Sequence, residues 1–325
     1  MKIIVIALTI VIQLTVKIKG RLKVRAVFMI HIVDTCDQIQ GLFDNGQFNE
    51  TRWETYINSI YENGASVFKR ELNAYLHNSS RTFEQDFLPL INRVWKNPQL
   101  DILHESFLCA ARNLNQRITQ QFGQSIDAEL ILYLGLGSSA GRMTVINGIH
   151  TVLLGVEKIL ELNWHDQSSM YGLIYHELGH IYHFQHGLMD QQPEGSCPSF
   201  VWQLFTEGVA MYFEQALVGD FHFYHQDKNG WREWCDHHFI EILEDFHRAL
   251  PSMTRFNQQY FGDWCNYRGY ADTGYYLGCR FVLSLMTDLS FRQVIALDTK
   301  QVYHLYLDFV HNCQRSYGSR NSLST

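Results

Sequence analysis

Asn147-Gly148, set between the β-rich runs Arg142-Met-Thr-Val-Ile146 and Thr151-Val-Leu-Leu-Gly-Val156, has the composition of a two-residue hairpin turn. Both central positions of such a turn need positive φ, which Asn and Gly accept. This commits the middle of the chain to an antiparallel pair, and Glu129-Leu-Ile-Leu-Tyr-Leu-Gly-Leu136 reads as a further strand. Outside this region the apolar spacing changes to three and four. Tyr56, Ile60, Leu72 and Leu76 form one helical stretch, Leu103, Phe107, Leu114 and Ile118 another, and Asn97-Pro98-Gln99 separates them. From Asn163 onward the pattern is helical again. Helices, a small sheet and more helices predict an α+β fold, one domain built of two lobes. The expected organisation is an apolar and basic segment at 1–25, an α+β lobe over 26–162 and a mainly helical lobe over 163–325.

Composition narrows the function classes. With 46% hydrophobic and 18% charged residues the chain of 325 has the make-up of a folded globular protein. Its net charge is −7, and setting aside the six cations of residues 1–25 leaves 20 Lys and Arg against 33 acids, or −13. A nucleic-acid surface is therefore not expected, since such surfaces depend on cationic neutralisation of phosphates. The seven cysteines are odd in number and contain no Cys-x-x-Cys pair, so free thiols in a reducing compartment are expected. Ile3–Val16 is an apolar run, shorter than the roughly 20 residues of a membrane span. It has the character of a signal-peptide core, but no small-x-small cleavage site follows. The flank Lys17-Ile-Lys-Gly-Arg-Leu-Lys-Val-Arg25 is basic, which favours a cytoplasmic body. Alternation across Val16–Val33 makes a strand the competitor of a membrane-surface anchor there, and a natural start near Leu22 is a third reading.

The chemistry is concentrated in Met170-Tyr-Gly-Leu-Ile-Tyr-His176-Glu177-Leu-Gly-His180. On a helix, residues four apart are separated by about 40° around the axis and about 6 Å along it, so both imidazoles can reach one ion. Chance would produce about 0.04 His-Glu-x-x-His matches in a chain with 16 His and 16 Glu. A helix starting near Asp166 or Ser168 and stopping at Gly187 would support the pair. Zinc takes neutral imidazoles readily, and a catalytic site needs a third protein ligand. Glu177 is placed to act as general base. Two residues compete for the third position. His186 has the spacing of a chain that breaks after the motif and returns, but the glycine such a break calls for is His183. Glu207 lies on a second expected helix that runs from near Pro198 to Gly219 and packs on the first through Trp202, Phe205, Val209 and Phe213.

Glu207-Gly208-Val209-Ala210-Met211-Tyr212, downstream of His176-Glu-x-x-His180, resembles the gluzincin branch of the zincin metallopeptidases, and most nearly the bacterial predicted zinc-dependent proteases of that clan. The resemblance spans roughly residues 151–281. It implies a zincin-like fold: a small mixed sheet with an edge strand beside the active-site helix, then a mainly helical C-terminal lobe. It implies Zn2+ held by His176, His180 and Glu207, Glu177 as catalytic base, and a peptide or protein substrate. Tyr275, in Gly274-Tyr-Tyr-Leu-Gly278, matches the position of an oxyanion-stabilising tyrosine, with Tyr276 the substitute and His222, His225, His237 and His238 alternative donors. Val152-Leu-Leu-Gly155-Val-Glu157-Lys158 falls where zincins place the edge strand that pairs with a peptide, with Gly155 and Glu157 in the position of an amine-binding segment and a salt-bridged strand end the competing reading of Glu157. Many gluzincins carry an acid four residues after the ligand Glu to orient a histidine. Here that position is Met211, which leaves Glu214 and Asp272 as candidates for the orienting role. The alternative from another class is a metal-dependent peptide-binding or regulatory protein without turnover.

Overall fold

Four strands form the main sheet: β1 (Ile30–Asp34), β2 (Ala128–Tyr133), β3 (Gly141–Ile146) and β4 (Ile149–Gly155), in the order β1-β2-β4-β3. The structure, a computed structural model, describes residues 29–77 and 81–321, so the segment 1–25 lies outside the described residues. β1 pairs parallel with β2, and β2 with β4, whereas β3 runs antiparallel to β4. The hairpin turn is where the sequence places it, with φ of 50° at Asn147 and 81° at Gly148. β2 and β4, paired on both sides, are almost continuously buried, as strands flanked on both edges and covered on their faces should be; β3 is mostly half-buried.

This order corrects the sequence reading of the edge. Thr151–Gly155 is interior, with β2 on one side and β3 on the other, because the hairpin folds β3 back onto the margin that would otherwise be free. On this side of the sheet the edge strand is Gly141–Ile146.

The helices surround this sheet. The first group is α1 (Glu50–Ile60), α2 (Gly64–His77), α3 (Leu100–Ala110) and α4 (Leu114–Phe122), and a short α5 (Val156–Glu161) leaves β4. Then come α6 (Gln167–His186), α7 (Ser196–Val218), α8 (Phe239–Ala249), α9 (Thr273–Leu285) and α10 (Thr299–Asn321). Mixed α+β architecture with a small mixed sheet is thus the fold class. Among the described residues no helix is long and apolar enough to cross a membrane. All seven cysteines are free thiols.

α6 begins where its cap dictates: the Asp166 side chain accepts from Ser169 N at 3.0 Å, satisfying a first-turn donor. Helix α7 ends at Gly219, whose φ of 84° closes the last turn. The two helices meet where Gly179 faces Ala210; a Cβ on Gly179 would stand 3.0 Å from Ala210 Cα. On its other side α7 touches α9 even more closely, since a Cβ on Gly208 would lie 2.2 Å from the Gly278 carbonyl oxygen. Trp202, Phe205, Val209 and Phe213 are buried in this layer, as the sequence pattern requires.

Candidate metal centre

Glu207 Oε2 lies 3.2 Å from His176 Nε2 and 3.3 Å from His180 Nε2, and one ligand atom from each of the three residues falls within 4.8 Å of the others. The two histidines come from consecutive turns of α6, and the carboxylate reaches across from α7. Donors held about 2.0–2.1 Å from one tetrahedral ion lie about 3.3 Å from each other. The observed spacings fit that requirement. Both histidines are buried, and their Nδ1 atoms have no hydrogen-bond partner. Burial alone would lower the His176 pKa, but the hydrogen bond to Glu207 and the nearby Glu214 outweigh it and push it up to about 10. Burial works against the Glu207 carboxylate as well, yet the charge of His180 and then the bond from His176 hold it well below the usual carboxylate range. The three side chains thus bring two imidazole nitrogens and a carboxylate oxygen together in a compact pocket that could hold a metal ion.

Glu177, between the two histidines, is 7% exposed and lies against the start of the edge strand: a Cβ on Gly141 would stand 2.8 Å from its Oε1. The edge strand therefore runs beside the carboxylate expected to act as base. The Tyr275 ring packs on His176 at 5.6 Å and on Phe261 at 6.1 Å. Burial, then the negative charge of Glu207, raises its pKa well above that of a free phenol, so it stays a donor. Tyr276 takes no part. It is fully buried and gives its hydroxyl to Asp236 at 2.7 Å.

No family model matches this chain, and no curated protein or solved structure does. The geometry alone therefore sorts the remaining sequence candidates. Helix α6 continues unbroken through His186, whose Nε2 meets Ser125 O at 2.9 Å, so this histidine does not return to the pair. Glu157 is no amine receptor. It is 1% exposed, and its two carboxylate oxygens accept the backbone N–H groups of Gly135 and Gly137 at 2.9 and 2.8 Å. Gly155 is buried in β4, where a Cβ would meet Ser139 O at 2.5 Å. His237 and His238 bond carbonyls of their own helical segment, and His222 pairs with Arg232.

Of the two orienting candidates, Glu214 is the one that lies against His176. It is 0% exposed, accepts from His225 N at 3.0 Å and from His225 Nδ1 at 2.9 Å, and places Oε2 3.6 Å from His176 Nδ1. At 3.6 Å this last contact is an ion-pair distance rather than a hydrogen bond. Asp272 instead accepts from Gly262 N at 3.0 Å. His176, Glu214 and His225 also bring ligand atoms within 4.8 Å, but both Glu214 oxygens are already engaged by His225, so the group reads as a support for His176. The sequence signal for Glu214 was its place seven residues after Glu207 on one helix face; His225 was singled out only as an alternative oxyanion donor, not as the partner of Glu214.

Proposed function

We propose that the chain is a zinc-dependent peptidase of the gluzincin type, with a zincin-like arrangement of edge strand and motif helix. The observation that carries this reading is the convergence of His176 Nε2, His180 Nε2 and Glu207 Oε2, with Glu177 beside the free margin of β3. His176, His180 and Glu207 would hold the ion. When bound, zinc lowers the pKa of water towards neutrality and polarises a carbonyl oxygen.

The chain's own groups account for the rest. An extended peptide lies along β3, whose outer N–H and C=O groups have no strand partner among the described residues. Glu177 accepts a proton from the attacking water and hands it to the leaving amine. Tyr275 donates a hydrogen bond as negative charge develops on the carbonyl oxygen. Glu214 holds the His176 ring in register. The seven free thiols favour a reducing, cytoplasmic setting.

The test is hydrolysis of a quenched fluorescent peptide library by zinc-loaded protein and by Glu177→Gln. Both should retain zinc, and the variant should lose about 10²–10⁴-fold in rate. Zinc-dependent peptide binding by wild type without any hydrolysis would instead establish the non-catalytic alternative.

A further inference from the structure

A cavity of about 200 Å³ opens between helix α2, the loop that precedes the edge strand, and Trp264. Its apolar walls are Phe68, Leu72, Tyr75, Phe87, Leu136 and Trp264. It is smaller than the roughly 300–1,000 Å³ of small-molecule sites and has room for one large side chain. The cations at its rim are committed: Arg142 to Glu71 at 2.8 Å, Lys158 to Asp263 and Glu161 at 2.5 Å each, and Arg81 is likewise engaged. What the cavity offers a ligand is therefore neutral apolar surface.

Its position ties it to the candidate centre on two sides. Arg142 in its wall follows Gly141, the residue against which Glu177 lies, and because successive strand residues face opposite ways the cavity lies across β3 from that carboxylate. Asp263 in the opposite wall is two residues beyond Phe261, which packs on Tyr275, which in turn packs on His176. Successive side chains of a peptide extended along β3 would point in turn to the face of Glu177 and to the face of the cavity. At the mouth of the cavity Trp264 is 43% exposed, a large apolar surface left to water.

The wall is also built to keep its shape. The loop contributes Leu136, Gly137 and Ser138, and the buried Glu157 carboxylate clamps the N–H groups of Gly135 and Gly137. There is no room to substitute here: a Cβ on Gly135 would stand 2.6 Å from Glu157 Oε1. This accounts for a buried acid that the hydrolytic reading leaves without a task.

We infer that the cavity is the side-chain subsite of the peptidase, and that it selects peptides carrying a large neutral apolar residue, Phe, Tyr, Leu or Met, next to the bond that is cut. The inference rests on the peptidase reading, so its test separates the two. Zinc-loaded wild type is given a mixed peptide library and the cut sites are read by mass spectrometry. In parallel, zinc-loaded Glu177→Gln captures peptides from the same library. One position should favour Phe over Ala by about tenfold or more, the scale expected when an apolar pocket is filled by several carbons. Leu72→Trp, which fills the cavity, and Trp264→Ala, which removes its outer wall without adding bulk, should each bring that preference to within about twofold. Cleavage without such a preference overturns the subsite and leaves the peptidase standing. Captured peptides with the preference but no cleavage by wild type do the reverse. A preference unchanged in both variants, or neither capture nor cleavage, overturns the subsite.

Discussion

Glu214 Oε2 stands 3.6 Å from His176 Nδ1, on the side of the ring away from the nitrogen that meets Glu207, and 2.9 Å from His225 Nδ1. A carboxylate behind a ligand imidazole fixes its tautomer and orientation. Glu214→Gln keeps the volume and removes the charge. Zinc affinity, measured by competition with a chromogenic chelator, is expected to fall about 10–100-fold. Unchanged affinity would mean that His176 is positioned by packing alone.

How far the sequence could carry this reading depends on which interactions are local. His176, Glu177 and His180 were legible because helical geometry over four residues is fixed by the backbone, and the Asp166 cap and Gly187 bounded the helix. Glu207 was legible only through its motif, since its approach depends on how closely α7 packs on α6, a property of Gly179 and Ala210 together. The edge strand was misplaced because a hairpin turn fixes that two strands pair but not which of them gains a second neighbour. That choice is made by β2, more than a dozen residues away in sequence, aligning parallel to β4. Glu157 stayed open between amine binding and a structural role for a related reason: an acid at a strand end looks available until the loop of Gly135 and Gly137 folds over it.

Metal should stabilise the fold, because the three proposed ligands come from two helices and a ligand that binds only the folded chain shifts the equilibrium by mass action. At 100 to 1,000 times Kd this is worth about 2.7–4.1 kcal/mol. Calorimetry of chelated and zinc-loaded protein should show Tm raised by several degrees on loading. In His180→Ala the increment should disappear, while the metal-free Tm changes far less.

Gly208 follows Glu207, the proposed ligand, and lets α9 approach α7 to backbone contact. An alanine there would drive its Cβ to 2.2 Å from Gly278 O and 2.4 Å from Gly278 C, both main-chain atoms that cannot rotate away. Gly208→Ala is therefore expected to destabilise by about 1–3 kcal/mol through forced separation of the helices. It should also weaken zinc binding, because Glu207 moves with the backbone it belongs to. Gly148→Ala is the control for strain without a clash: its φ is 81°, and nothing lies within 4 Å of the added carbon. Urea denaturation of both variants, paired with zinc titration, should show both losses for Gly208→Ala and only a stability loss for Gly148→Ala.

His183 makes acid sensitivity a property of the fold itself. It is 0% exposed, and its neighbours include the rings of Phe205 at 5.7 Å and Trp202 at 6.2 Å. Burial, reinforced by the positive charge of His180, pushes its pKa down to about 3. An unfolded histidine titrates near 6.5. Between those two values the unfolded chain binds the extra proton and the folded chain does not, so stability rises with pH in that window. The contribution is fully present above about pH 6.5 and is lost progressively as the pH falls towards 3. His183→Phe keeps a ring among the same aromatic neighbours and removes the titration. Denaturation in the presence of chelator keeps acid release of metal out of the comparison. The unfolding free energy of wild type should then fall more steeply from pH 6.5 to pH 4 than that of the variant; parallel curves would show that the buried imidazole does not control the acid limb.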